Sequence, residues 1–158
     1  MEIIDSFLSK DEFEGVHSHL MGYHFPWYYN PIVDYDNHLF DIFDLDSYQF
    51  VHDFSLSDKV LNPIIEKLKI KKVIRIKANL NPRTSEVITR KFHVDTNEKC
   101  KTAILYLNTS DGYTEFEDGS RVDSRANRMV IFDSQTMHRG TTCTNQKTRV
   151  VINFNYET

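Results

Sequence analysis

Cysteine, proline and glycine are all scarce in this 158-residue chain, at two, four and five residues. Cys100 and Cys143 stand at no metal-ligand spacing, which excludes a thiolate metal site and leaves a reduced, cytoplasmic protein as the expectation. Positive charge is not in excess: 19 Lys and Arg against 23 Asp and Glu give a net charge of −4. Capture of nucleic acid depends on Lys and Arg neutralising phosphates, so that partner is disfavoured. No apolar run approaches the roughly 20 residues that a membrane-spanning helix needs. The start, Met1-Glu2-Ile3-Ile4-Asp5, is acidic and too short in apolar residues for a signal sequence.

What is present is enough for one core. A chain of this length buries roughly two-thirds of its unfolded surface without disulfides or structural metal, so residues 1–158 read as a single domain. A 13% aromatic share beside so few glycines points to thick, well-filled sheets. Ser9-Lys10-Asp11-Glu12 spells a capping box, with Phe13, Val16 and Leu20 on one helical face. Pro26 and Pro31 flank the only Trp and block helix there, so the aromatic stretch 26–31 reads as a loop or edge segment that clamps the helix or lines a groove. Between Asp34 and Asp53 acids alternate irregularly with Leu and Phe, but the central Gly and closing Glu of an EF-hand are missing, and a polar rim on buried residues is expected. Val60, Leu61, Ile64, Ile65 and Leu68 predict a second helix; Pro63 lies too deep for a start at Ser57, so it begins near Asn62 or kinks.

Beyond residue 71 the apolar period falls from helical to two. Strands are predicted at 72–80, 86–94, 101–108, 113–117, 121–123, 128–133 and 148–156. A helical support of about 1–70 and a strand-rich core of about 71–158 make a mostly β protein with N-terminal α-helices, a double-stranded β-helix or jelly roll.

The candidate chemistry sits on those strands. His93 and Asp95, at i and i+2 in an extended segment, point to one face. His138 follows the strand 128–133 and completes two imidazoles and one carboxylate, the facial ligand set of a non-haem Fe(II) oxygenase with positions left open. On the last strand Arg149, Val151, Asn153 and Asn155 share a face. An inward guanidinium wants a carboxylate to grip, so Arg149 nominates an anionic cosubstrate. Tyr106 shares a face with Thr102, Ile104 and Asn108 and could add a hydroxyl.

Six pieces in order carry a resemblance: H-V-D at 93–95, Y-L-N at 106–108, G-x-T-x-F at 112–116, N-R-x-V-x-F at 127–132, H-R-G at 138–140 and T-R at 148–149. Residues 75–156 resemble the prolyl 4-hydroxylase-like branch of the 2-oxoglutarate- and Fe(II)-dependent dioxygenase superfamily. The resemblance implies that His93, Asp95 and His138 bind Fe(II), and that Arg149 holds the distal carboxylate of 2-oxoglutarate with Tyr106 as hydroxyl partner and Asn153 as a further polar residue of the cosubstrate pocket. It implies dioxygen as co-reactant and hydroxylation of a C–H bond, in a prolyl or other residue of a peptide or protein, or in a small molecule. Asp95 favours hydroxylation, because halogenases of the superfamily lack the carboxylate ligand. The alternative reading is a cupin-like metal-binding module without oxygenase activity, which has no need of an inward Arg149. A third, without metal, makes the histidines satisfied core residues.

Overall fold

The computed structural model describes residues 1–31, 33 and 47–158. Its strands are β1 (Glu2–Ile4), β2 (Tyr28–Asn30), β3 (Gln49–Asp53), β4 (Lys72–Pro82), β5 (Lys101–Tyr106), β6 (Tyr113–Phe116), β7 (Arg121–Asp123), β8 (Arg128–Asp133), β9 (His138–Gly140) and β10 (Thr148–Glu157). Two helices, α1 (Lys10–Leu20) and α2 (Asn62–Lys67), complete the described elements, with a 3₁₀ turn at Lys59–Leu61 before α2.

A seven-stranded antiparallel sheet in the order β1-β8-β5-β10-β4-β3-β2 faces a three-stranded sheet, β7-β6-β9. This is the expected jelly roll. The period-two alternation on β10 sorts its two faces: Val150, Ile152, Phe154 and Tyr156 pack with Leu20, Leu61 and Ile64 of the helical layer. Arg149, Val151, Asn153 and Asn155 face the opposite way, toward the smaller sheet. Between the sheets Ile104, Tyr106, Phe116, Val122, Val130, Phe132 and Val151 form a second apolar cluster.

Local signals hold where they are chemically explicit. Ser9 Oγ accepts from the Glu12 amide and Glu12 Oε2 from the Ser9 amide, closing the capping box, and Val16 and Leu20 are buried. α2 starts at Asn62, so Pro63 falls in the first turn, where its missing N–H costs nothing. Residues 28–30 form an edge strand. Phe25 is buried against Trp27, His52 and Phe54, while Trp27 Nε1 donates to the Leu20 carbonyl at 3.3 Å, which makes these aromatics the clamp on α1.

Two expectations change. Residues 86–94 are not a continuous strand: their pairing with the β9 side is reduced to the isolated bridges Thr89–Thr141 and His93–His138. Four residue steps separate the bridges on this segment and three on the other, a mismatch that interrupts the ladder, and the Lys91 carbonyl between them accepts from His93 Nδ1 at 3.1 Å. The larger sheet also recruits β1, β2 and β3 from the first third of the chain, segments too short for their alternation to announce them. The acidic stretch from Asp34 to Asp46, with His38, lies outside the described residues.

Candidate metal and cosubstrate site

His93 and His138 are cross-strand partners. The His93 amide donates to the His138 carbonyl at 2.9 Å and the His138 amide to the His93 carbonyl at 3.0 Å. Directly opposed residues of an antiparallel pair project on one face, and the two rings stand 4.9 Å apart. Asp95, two residues beyond His93, reaches the same spot: its Oδ1 is 3.5 Å from His93 Nε2 and 3.9 Å from His138 Nε2. One ligand atom from each of the three lies within 4.8 Å of the others.

The tautomers explain what this cluster is for. His93 Nδ1 donates to the Lys91 carbonyl and His138 Nδ1 to the Thr136 carbonyl, at 3.1 and 3.0 Å. With Nδ1 protonated, each neutral ring turns its Nε2 lone pair toward a carboxylate. Three electron-rich groups aimed at one point repel unless a proton or a metal cation stands between them. Consistently, His138 Nε2 and Asp95 Oδ2 are buried without a hydrogen-bond partner. This donor set fits a divalent iron.

Electrostatics keep the ligands in their binding forms. Burial would raise the Asp95 carboxyl, but a hydrogen bond with His93, the positive charge that His138 and His93 carry when protonated and the nearby Asn155 amide outweigh it and hold the group below the usual carboxylate range. Burial pushes the His138 imidazole down, against the pull of Asp95, which favours the neutral ligand. Asn155 is itself anchored, its Nδ2 donating to Thr102 Oγ1 at 3.0 Å.

The same cavity, about 430 Å³, contains the second centre. Arg149 is 2% exposed. Its Nε donates to Ser124 Oγ at 2.7 Å, Nη2 to Thr114 Oγ1 at 3.1 Å and Nη1 to the Thr141 carbonyl at 3.3 Å. All these partners are neutral, so the buried guanidinium has no counter-ion among them, and desolvation lowers its pKa. Its close packing depends on Gly112, where a Cβ would stand 2.5 Å from Arg149 Cδ and 2.5 Å from the Thr142 carbonyl oxygen. The arrangement is a triad that could hold a metal ion and, in the same cavity, a buried guanidinium without a carboxylate partner among its hydrogen bonds.

The sequence profile of the 2OG-Fe(II) oxygenase superfamily matches residues 87–157, the span that carries all four of these side chains. Residues 87–157 thus carry the sequence pattern of the 2OG-Fe(II) oxygenase superfamily. Fe(II), 2-oxoglutarate and dioxygen are therefore the cofactor and cosubstrates of this oxygenase. No curated protein sequence matches it. Among solved structures it is similar to a prolyl hydroxylase from Trichoplax adhaerens in complex with a hypoxia inducible factor oxygen degradation domain peptide fragment. That similarity has a TM-score of 0.72 at 13% identity, over 99% of this chain and 82% of that one. A prolyl-4-hydroxylase from Pseudomonas putida is similar with a TM-score of 0.59 at 15% identity, over 99% and 92%. The non-haem α-ketoglutarate-dependent epimerase SnoN of nogalamycin biosynthesis is similar with a TM-score of 0.66 at 12% identity, over 98% and 76%. The fold is thus common to these proteins.

Within the oxygenase, His93, Asp95, His138, Arg149 and Asn153 all line the one cavity. Asn153 Oδ1 is buried there without a partner. Tyr106 is fully buried behind them: its hydroxyl donates to Thr114 Oγ1 at 2.8 Å, and Arg149 Cζ lies 5.6 Å from its ring centroid. Thr114, not Tyr106, lines the cavity. Asn108 is engaged by the β10 backbone, donating to the Thr148 carbonyl and accepting from the Val150 amide. Sequence reasoning placed Asn155 on the correct face without a role. It assigned nothing to Ser124 and Thr141, because hydrogen bonds to a distant arginine leave no spacing to read.

Proposed function

We propose that the chain is an Fe(II)- and 2-oxoglutarate-dependent hydroxylase in which His93, Asp95 and His138 hold iron and Arg149 holds the distal carboxylate of 2-oxoglutarate. The observation that carries this is the shared cavity: a lone-pair triad with orphaned donors, and a buried guanidinium without a counter-ion. A structural metal alone would leave the desolvation of Arg149 without a purpose.

With iron, 2-oxoglutarate and dioxygen bound, such a site couples decarboxylation of 2-oxoglutarate to succinate with insertion of oxygen into a substrate C–H bond. The chain's residues do the positioning. The Lys91 and Thr136 carbonyls fix the imidazole tautomers, and Asn155 steers the Asp95 carboxylate. Thr114 and Ser124 hold the guanidinium in place, with Tyr106 bracing Thr114. Ile104 and Val151 line the cavity with apolar surface that limits water. The primary substrate is a residue of a peptide or protein, or a small molecule; the likeness to the peptide-bound hydroxylase supports the first. Two free thiols fit a reducing, cytoplasmic setting, and among the described residues no helix is long and apolar enough to cross a membrane.

The test is anaerobic titration of the Fe(II)-loaded protein with 2-oxoglutarate, followed through the visible metal-to-ligand charge-transfer band. Wild type develops the band. Arg149→Ala needs roughly tenfold to a hundredfold more 2-oxoglutarate, the loss expected from charge-assisted hydrogen bonds. Bound iron without a band in wild type would refute the reading.

A further inference from the structure

Arg75, Lys77, Asn79 and Asn81 of β4 all line the active-site cavity. They stand opposite Asn155, Asn153, Val151 and Arg149 of β10 in register. Lys77 is therefore cross-strand to Asn153, at the level of the metal triad, and Asp95 is close enough to act on its charge. Its other cross-strand neighbour, Asp53, is already engaged by Arg75 Nε at 3.5 Å. Lys77 is half-buried and makes no hydrogen bond or ion pair with the described residues. Burial, and after it the nearby Arg75, push its ammonium down; Asp53 and Asp95 pull the other way without cancelling the shift, which an anion at its tip would reverse.

Charge accounting turns this into a statement about substrate, and it rests on the oxygenase reading above. A divalent iron on Asp95 leaves one net positive charge, and Arg149 adds a second. The two carboxylates of 2-oxoglutarate neutralise both. Arg75 has Asp53. Asp95 is the one acid among the described residues that lines the cavity; Arg90 and Lys91 line it too and have partners of their own, so Lys77 is left without a carboxylate among the described residues once iron and cosubstrate are in place. An unpaired cation on an active-site wall is costly unless its counter-charge arrives with the ligand.

We infer that Lys77 seats a carboxylate of the primary substrate close to the carbon that is oxidised, so that this oxygenase acts on an acidic residue or an acidic small molecule. One lysine matches one negative charge, which favours a carboxylate over a phosphate dianion. Asn153, whose Oδ1 is unpartnered beside it, can accept from an N–H of the same ligand. Both features suit an aspartyl or glutamyl residue, or the corresponding free amino acid.

The experiment is calorimetric titration of the anaerobic Fe(II)- and 2-oxoglutarate-loaded protein in two arms. One arm uses N-acetyl Gly-Xaa-Gly amides with Xaa as Asp, Glu, Asn or Gln; the other uses the four free amino acids. In wild type the acidic member of at least one pair binds about tenfold more tightly than its amide, as one charge-assisted hydrogen bond predicts. Lys77→Met abolishes that preference and Lys77→Arg retains it, while the affinity for 2-oxoglutarate stays the same in all three proteins. The arm that shows the preference distinguishes a peptide from a free acid. Equal affinities within every pair, no binding in either arm, or a parallel loss of 2-oxoglutarate binding in Lys77→Met would each overturn the inference. Failure of wild type to bind 2-oxoglutarate would instead sink the oxygenase reading, before any peptide is added.

Discussion

His93 and His138 exchange both backbone hydrogen bonds, so the two imidazoles of the candidate metal triad are fixed relative to each other by main chain as well as by side-chain packing. Asp95 joins them through the i, i+2 spacing, and only its carboxylate torsion is left to be set. Asn155, held by Thr102, is the β10 side chain near enough to Asp95 to lower its pKa and so to bias that torsion.

Asn155→Leu should accordingly weaken Fe(II) affinity by about tenfold to a hundredfold, the usual cost of losing a partner behind a metal ligand. Thr102 Oγ1 loses the bond from Asn155 Nδ2, so stability falls by about 1–2 kcal/mol as well. Equilibrium metal titration and a thermal melt separate the two effects. An unchanged metal affinity would show that Asp95 needs no such guide.

Gly112 is required by a contact, not by a turn. In Gly112→Ala the new Cβ meets Arg149 Cδ and a backbone carbonyl at 2.5 Å each, and the carbonyl cannot yield cheaply. Overpacking of this kind costs about 1–3 kcal/mol. The variant should bind 2-oxoglutarate more weakly while its Fe(II) affinity is retained. Gly15→Ala, where nothing lies within 4 Å of the added carbon, is the control and should be neutral or stabilising by about 0.5–1 kcal/mol.

Thr114 joins Tyr106 to Arg149. Thr114→Val strips an acceptor from both the tyrosine hydroxyl and Nη2, whereas Tyr106→Phe removes a single donor. The valine variant should therefore lose more stability, by about 1–3 kcal/mol, and more 2-oxoglutarate affinity. Equal losses of 2-oxoglutarate affinity would mean that the Tyr106 hydroxyl reaches the cosubstrate directly.

Acid should act on the metal-free protein through His138. Its folded pKa lies below the ordinary value of 6.5, so as pH falls through that value the unfolded chain takes up a proton that the buried ring refuses. More protons on the unfolded state mean that stability declines with falling pH, starting near 6.5 and continuing to the folded pKa. Iron binding weakens over the same range, because it needs the same lone pair. His138→Gln should flatten the dependence of Tm on pH between about 7.5 and 5.5. An unaltered slope would assign the acid loss to other groups.

The sequence by itself determined the alternation that builds the jelly roll, the capping box of α1 and the triad of ligand types, since each depends on side-chain chemistry at short spacing. The inward face of β10, with Arg149, Asn153 and Asn155, was legible for the same reason. What only the tertiary structure decided is how distant segments meet. The pairing of His93 with His138 depends on a bridge that replaces the expected strand at 86–94. The room for Arg149 depends on a glycine from another strand region, and the isolation of Lys77 on the diversion of Asp53 to Arg75. β1, β2 and β3 were invisible for a related reason: three to five residues carry too little periodicity, and their place is fixed by the ladder of the strand they join.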